Sequence, residues 1–200
     1  MQLCNCAICD FKKKEMEKVS INKTINLSEH LASPSEAALS HSCVPTVASD
    51  QRSSASELNG LRLTPHFSLG EVTKSRHTEI DNIPSHVAIE NLKRVCTWLE
   101  ELRARARTPI VINSGYRSPQ LNKKVGGSPT SNHLTGCAVD IRVTGIEQAM
   151  RYAVILMDYA DETKQDYDEL LIERNKSGGY WLHFAVRPKD NRRKTMFLQV

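Results

Sequence analysis

Two short segments, Cys137–Val143 and Tyr180–Val186, constrain the fold more than any other part of this chain. Side chains alternate faces along a β-strand, so residues two apart share a side. In the first segment one face carries Cys137, Val139, Ile141 and Val143, and the other carries Ala138, Asp140 and Arg142. In the second, Tyr180, Leu182, Phe184 and Val186 oppose Trp181, His183 and Ala185. An apolar face demands cover, whereas a mixed face can line a cleft. If the two apolar faces share one core, Asp140 and His183 project into the same cleft. The loop before Cys137 can then bring His133 over it.

The remaining elements surround these strands. Ser85 opens a helix running to about Ala106, with Val87, Ile89, Leu92, Val95, Cys96, Leu99 and Leu102 at helical spacing. A buried strand is expected at Pro109–Asn113, and a short helix at Pro119–Val125 with Ser118 as its cap. Gly126 to Ser131 is turn chemistry, which places His133 in or just after a loop. A helix from Ile146 to about Tyr159 precedes an acidic loop, in which Asp161, Glu162, Asp166 and Asp168 read as solvated charges rather than a second metal site. Strands follow at Asp168–Glu173 and Tyr180–Val186, and Lys194–Val200 adds an edge strand. Strands and helices do not alternate regularly. The class is therefore α+β, with a largely antiparallel central sheet and flanking helices.

Residues 1–60 differ in kind: they are polar, Ser-rich and nearly free of aromatics, and read as a linker or disordered tail. The folded domain is expected over residues 61–200. Asn22 and Asn26 head glycosylation-type sequons in the tail, but so short a pattern carries no claim. Cys4, Cys6 and Cys9 lack a nearby fourth ligand for a structural zinc site, while Cys96 and Cys137 fall at apolar positions and read as small buried residues. A net charge of +4 with scattered Lys and Arg does not favour nucleic acid as a partner. No apolar run approaches the roughly 20 residues that span a bilayer. Residues 1–20 contain no apolar export core, so the expected location is cytoplasmic until lysis, or outside by a route the sequence does not display.

His133, Asp140 and His183 together make the ligand set of a catalytic zinc site, with a fourth position left for water. Two neutral imidazoles and one carboxylate leave the centre near +1, so the cation remains a Lewis acid. Hydrolysis also needs a base and an oxyanion donor. Glu173, at the end of the strand before His183, is the candidate base. Arg117, on a Gly-containing loop between a strand and a helix, is the candidate oxyanion partner. Taken singly, each has a plainer reading as a surface charge or satisfied polar residue, and Trp181 as core or cleft wall.

Taken in order, the residues resemble the zinc D-alanyl-D-alanine carboxypeptidase family, which includes phage endolysins and vancomycin-resistance dipeptidases. Ser-x-His-x-x-Gly-x-Ala-x-Asp stands complete from Ser131 to Asp140. Ser-Gly-Tyr-Arg-Ser stands at Ser114–Ser118, followed by Asn122 and Val125-Gly126-Gly127-Ser128. Trp-x-His stands at Trp181–His183, Phe-Ser-Leu-x-Glu at Phe67–Glu71, and Asp81-Asn82-Ile83-Pro84 precedes the long helix. Ordered agreement from Phe67 to Val186 is far more specific than any one motif.

The resemblance implies the Hedgehog/DD-peptidase fold and one zinc ion per chain, held by His133, Asp140 and His183. It implies Arg117 as the stabiliser of the tetrahedral intermediate, with Ser114, Tyr116, Ser131 and Trp181 on the substrate side. It further implies a monomer that cuts peptidoglycan stem peptides as a D-Ala-D-Ala carboxypeptidase or related endopeptidase. Several relatives place the catalytic acid three residues before the last His, where this chain has Tyr180; a short subgroup places it where this chain has Glu173. Two competing readings stand beside this one. A cell-wall-binding or phage structural module that kept the fold without turnover would bind zinc and wall but release no peptide. A nucleic-acid-binding protein using Cys4, Cys6 and Cys9 would lose salt-sensitive DNA binding with its first 60 residues.

Overall fold

Alternation of apolar residues dictates a sheet with one face to be buried, and the structure, a computed structural model describing residues 60–200, supplies the cover. The described residues fall within one compact unit, Asp50–Val200. The readings made for residues 1–59, including the three N-terminal cysteines, the sequons and the linker, lie outside the described residues.

In chain order the elements are α1 (Leu69–Thr73), α2 (His86–Ala106), β1 (Ile112–Ser114), α3 (Pro119–Lys124), a 3-10 turn (Asn132–Thr135), β2 (Ala138–Arg142), α4 (Ile146–Thr163), β3 (Glu169–Arg174), β4 (Tyr180–Ala185) and β5 (Lys194–Gln199). The five strands form one sheet in the order β1-β2-β4-β3-β5. Every pairing is antiparallel except that of β3 with β5, which is parallel. The α+β class and largely antiparallel sheet are as expected.

Val139, Ile141, Leu170, Ile172, Leu182 and Phe184 form the buried face, and α2 and α4 pack over it in one continuous core. Trp98 of α2, which periodicity alone did not single out, anchors this layer. Its ring meets Tyr159 edge-on at 4.8 Å and lies 5.5 Å from Phe184. The helix boundaries follow local chemistry. Ser85 caps α2 by accepting from the Ala88 N–H, and Ser118 caps α3 by accepting from Leu121, with Pro119 at the first helical position. Among the described residues, no helix is long and apolar enough to cross a membrane.

Three local expectations need correction. The strand expected from Pro109 begins at Ile112, because Val111 turns outward and only Ile110 enters the core. Val87 is exposed; the buried stripe of α2 starts one residue later, at Ala88. His133 sits just after the Gly126–Ser131 loop, as expected, in a 3-10 turn that Ser131 caps and Gly136 closes at φ 72°. Finally, α4 runs to Thr163. It carries Asp161 and Glu162 on helix, because Ala160 still packs in the core and Lys164 ends it in the left-handed region at φ 58°. Arg105 of α2 grips Glu162 with two N–H groups, at 2.7 and 3.2 Å.

Candidate metal centre

The strand register decides what meets on the uncovered face. Asp140 of β2 lies directly opposite His183 of β4, and His183 lies opposite Leu171 of β3. One step along, Arg142, Trp181 and Glu173 form the next row on the same face; one step the other way, Ala138, Ala185 and Glu169 form a third. Residues directly opposite in antiparallel strands share a face and stand about 5 Å apart. Asp140 and His183 thus stand side by side in one row on the uncovered face.

His133 reaches this row from the 3-10 turn. Its Nδ1 lies 2.6 Å from the Gly115 carbonyl, which can only accept, so Nδ1 carries the proton and Nε2 offers its lone pair. That Nε2 stands 3.3 Å from Asp140 Oδ1, and His183 Nδ1 stands 2.9 Å from the same oxygen. All three residues are buried, and their ligand atoms lie within 4.8 Å of one another. A histidine that spends one ring N–H on a backbone carbonyl and turns the other nitrogen toward a buried carboxylate is arranged as metal-binding histidines are. The donor set suits a cation such as zinc.

Electrostatics tighten the cluster. Burial alone would raise the Asp140 carboxyl, but the imidazoles of His133 and His183 outweigh it and hold the group far below the usual carboxylate range. Burial would depress His183, yet the Asp140 and Glu169 carboxylates outweigh it, and the imidazole is pushed up to about 9. A bound cation would compete directly with that proton.

Arg117 is not the exposed charge its loop suggested. It is half-buried, donates from a terminal nitrogen to Asp140 Oδ2 at 2.5 Å, and donates from Nε to Ser114 Oγ at 2.8 Å. Ser114 therefore orients the guanidinium. Ser131 accepts from the His133 N–H at 3.3 Å and so sets the turn. Tyr116, expected on the substrate side, is buried in the core; its N–H donates to Val72 and its carbonyl accepts from Asn82. Glu173 is half-buried, and burial pushes its carboxyl up despite the opposing His183 charge and a hydrogen bond with Trp181.

Asp168 overturns the solvated-loop reading. It is fully buried and accepts from Arg192 at 2.7 and 2.8 Å and from Asn132 at 2.8 Å, with Arg187 at 3.0 Å. Asn132 adjoins His133, so this clamp braces the turn that carries it. Glu169 was not singled out either. Its Oε2 lies 3.6 Å from His183 Nε2, and that imidazole, with Arg192 at 3.0 Å, holds its carboxyl down to about 2. Same-face parity with Glu173 was the signal that could have found it.

Gly115 shows how closely the loop must approach α1. A Cβ there would stand 2.2 Å from the Val72 carbonyl oxygen, a backbone atom that cannot swing aside. We expect Gly115→Ala to cost about 1–3 kcal/mol through overpacking. Displacing the Gly115 carbonyl from His133 Nδ1 should also weaken metal affinity by roughly 10–100-fold. Thermal unfolding and a chelator-competition titration check the two halves separately.

Residues 65–165 match the sequence model of a family described as Peptidase M15. None of the curated proteins matches this chain. Among solved structures, the L-Ala D-Glu endopeptidase ChiX of Serratia marcescens aligns with 22% identity over 55% of this chain and 94% of that one, at a TM-score of 0.34.

Proposed function

This chain belongs to the peptidase M15 family, and from that premise we propose that residues 61–200 form a one-zinc peptidase domain acting on peptidoglycan stem peptides. Its bond is that of a D-Ala-D-Ala carboxypeptidase or a related endopeptidase. The observation that carries this reading is the convergence of His133 Nε2, Asp140 Oδ1 and His183 Nδ1 on one buried point, with Glu173 in the adjoining row of the same face.

His133, Asp140 and His183 would hold the metal. When bound, zinc supplies Lewis acidity and brings the pKa of a water in its fourth position to about 7. Glu173 takes a proton from the attacking water on its carboxylate and returns it to the leaving nitrogen. Burial suits it to both halves of that transfer, since a raised carboxyl holds a proton more readily than an exposed one. Trp181 shares a hydrogen bond with this carboxyl and so orients it. Arg117 spends two of its N–H groups on Asp140 and Ser114; one of those that remain donates to the carbonyl oxygen as negative charge develops there.

The test is mass spectrometry of peptidoglycan fragments incubated with zinc-loaded and with chelator-treated protein. Loss of one D-Ala per stem identifies a carboxypeptidase, and an internal cut identifies an endopeptidase. Unchanged fragment masses with one zinc bound per chain would sink the peptidase reading and leave a wall-binding module.

A further inference from the structure

On the β1 side of the metal centre, away from Glu173, lies a groove of about 680 Å³. Lys74, Arg76, Arg117 and Arg142 line it, with Leu121 and Val125 among its apolar walls, and no Asp or Glu does. Arg117 is already balanced by Asp140. Among the described residues, the Arg142 side chain donates to the neutral Asn113 side chain, at 3.2 Å, and meets no carboxylate. Among the described residues, no carboxylate pairs with Lys74, Arg76 or Arg142. His77, also on the lining, faces Glu79 at 3.2 Å.

Arg142 ties the groove to the chemistry. It stands on β2 two residues beyond Asp140, in the row that runs through Trp181 to Glu173. A peptide lying along that row has the base toward one end and the basic groove toward the other. A volume of this size is in the range that takes a ligand of several residues' reach rather than a single terminal alanine. Guanidinium forks recognise planar anions such as carboxylates.

We propose that this groove binds a free carboxylate on the substrate arm that lies toward β1, and that Lys74, Arg76 and Arg142 thereby set substrate preference. The inference rests on the peptidase reading above and names the substrate class: an acidic peptide. The carboxylate can come from a side-chain-like group within the stem or from its C-terminus, and the two sources separate the internal-cutting from the trimming activity.

The experiment uses three forms of the pentapeptide Ala-D-Glu-Lys-D-Ala-D-Ala: fully acidic, amidated at D-Glu, and amidated at the C-terminus. Binding is measured by calorimetry on the zinc-loaded Glu173→Gln protein, so turnover does not enter. One exposed ion pair contributes little, but three acting on one anion give about a tenfold effect. We expect one amidation to weaken binding about tenfold, and the K74Q/R76Q/R142Q variant in the same background to lose that discrimination while retaining its zinc. Loss at D-Glu assigns the groove to an internal carboxylate; loss at the C-terminus assigns it to the terminal one. Equal binding of all three peptides, or discrimination that survives the triple substitution, overturns the proposal. If discrimination holds but the wild-type protein hydrolyses none of the peptides, the groove stands and the peptidase reading fails.

Discussion

Replacing Glu173 by Gln should lower kcat by about a thousandfold, within the range that general acid–base catalysis contributes, while zinc remains bound at one per chain. None of the three ligand residues is touched, so metal content and activity should part company. The same substitution should raise the Tm. The sign follows from burial, which lifts the Glu173 carboxyl above its ordinary 4.5 in the folded state. A folded state that holds this proton more tightly than the unfolded chain gains stability below that value and loses it as pH rises through the raised one. At neutral pH the ionised carboxylate therefore costs stability, and neutral Gln of the same shape removes the cost. Unfolding scans of metal-free protein, in which no cation perturbs the carboxyl, test this half. A variant that is inactive because it has lost zinc, or less stable than wild type, would contradict both halves.

Removing the carboxylate at Asp140 should be the most damaging change in the domain. Asp140→Ala takes away a ligand and also the carboxylate that stands beside His133, His183 and Arg117. It leaves a half-buried guanidinium facing two buried imidazoles with nothing to balance it. Breaking a buried ion pair by deleting one partner costs roughly 3–5 kcal/mol. Metal affinity should fall by more than the roughly 10–100-fold caused by losing an outer hydrogen-bond partner, and peptide release should vanish. The acid response should change as well. Asp140 is held far below 3.8, so its contribution is present above that value and fades only as pH falls well below it. The variant has no such contribution to lose. Zinc stoichiometry, denaturant unfolding and the muropeptide digest read the three effects independently. Retention of full zinc binding would remove Asp140 from the ligand set and the proposed mechanism with it.

Much of this was legible in one dimension, for identifiable reasons. The faces of Cys137–Val143 and Tyr180–Val186 follow from a two-residue repeat that no tertiary context changes, and the apolar stripe of α2 follows from its spacing. Ser85 and Ser118 mark helix starts because their side chains bond N–H groups only three residues away. The Ser131–Asp140 and Trp181–His183 segments could be recognised because each keeps its chemistry within a few consecutive positions.

What escaped depended on partners distant in the chain. Asp168 reads as one more charge in an acidic stretch until Arg187, Arg192 and Asn132 close around it. Arg117 reads as an exposed loop cation until Asp140, 23 residues on, takes its N–H. Periodicity decides which face a side chain occupies, and so the sequence by itself determined the α+β class, the two strand faces and the candidate ligands. Only the tertiary structure decided the register that sets Asp140 opposite His183 and Glu173 one row away, the clamp around Asp168, and the basic groove beyond Arg142. Charge pairing and burial are properties of neighbours in space, and the sheet order β1-β2-β4-β3-β5 brings together residues that the chain keeps far apart.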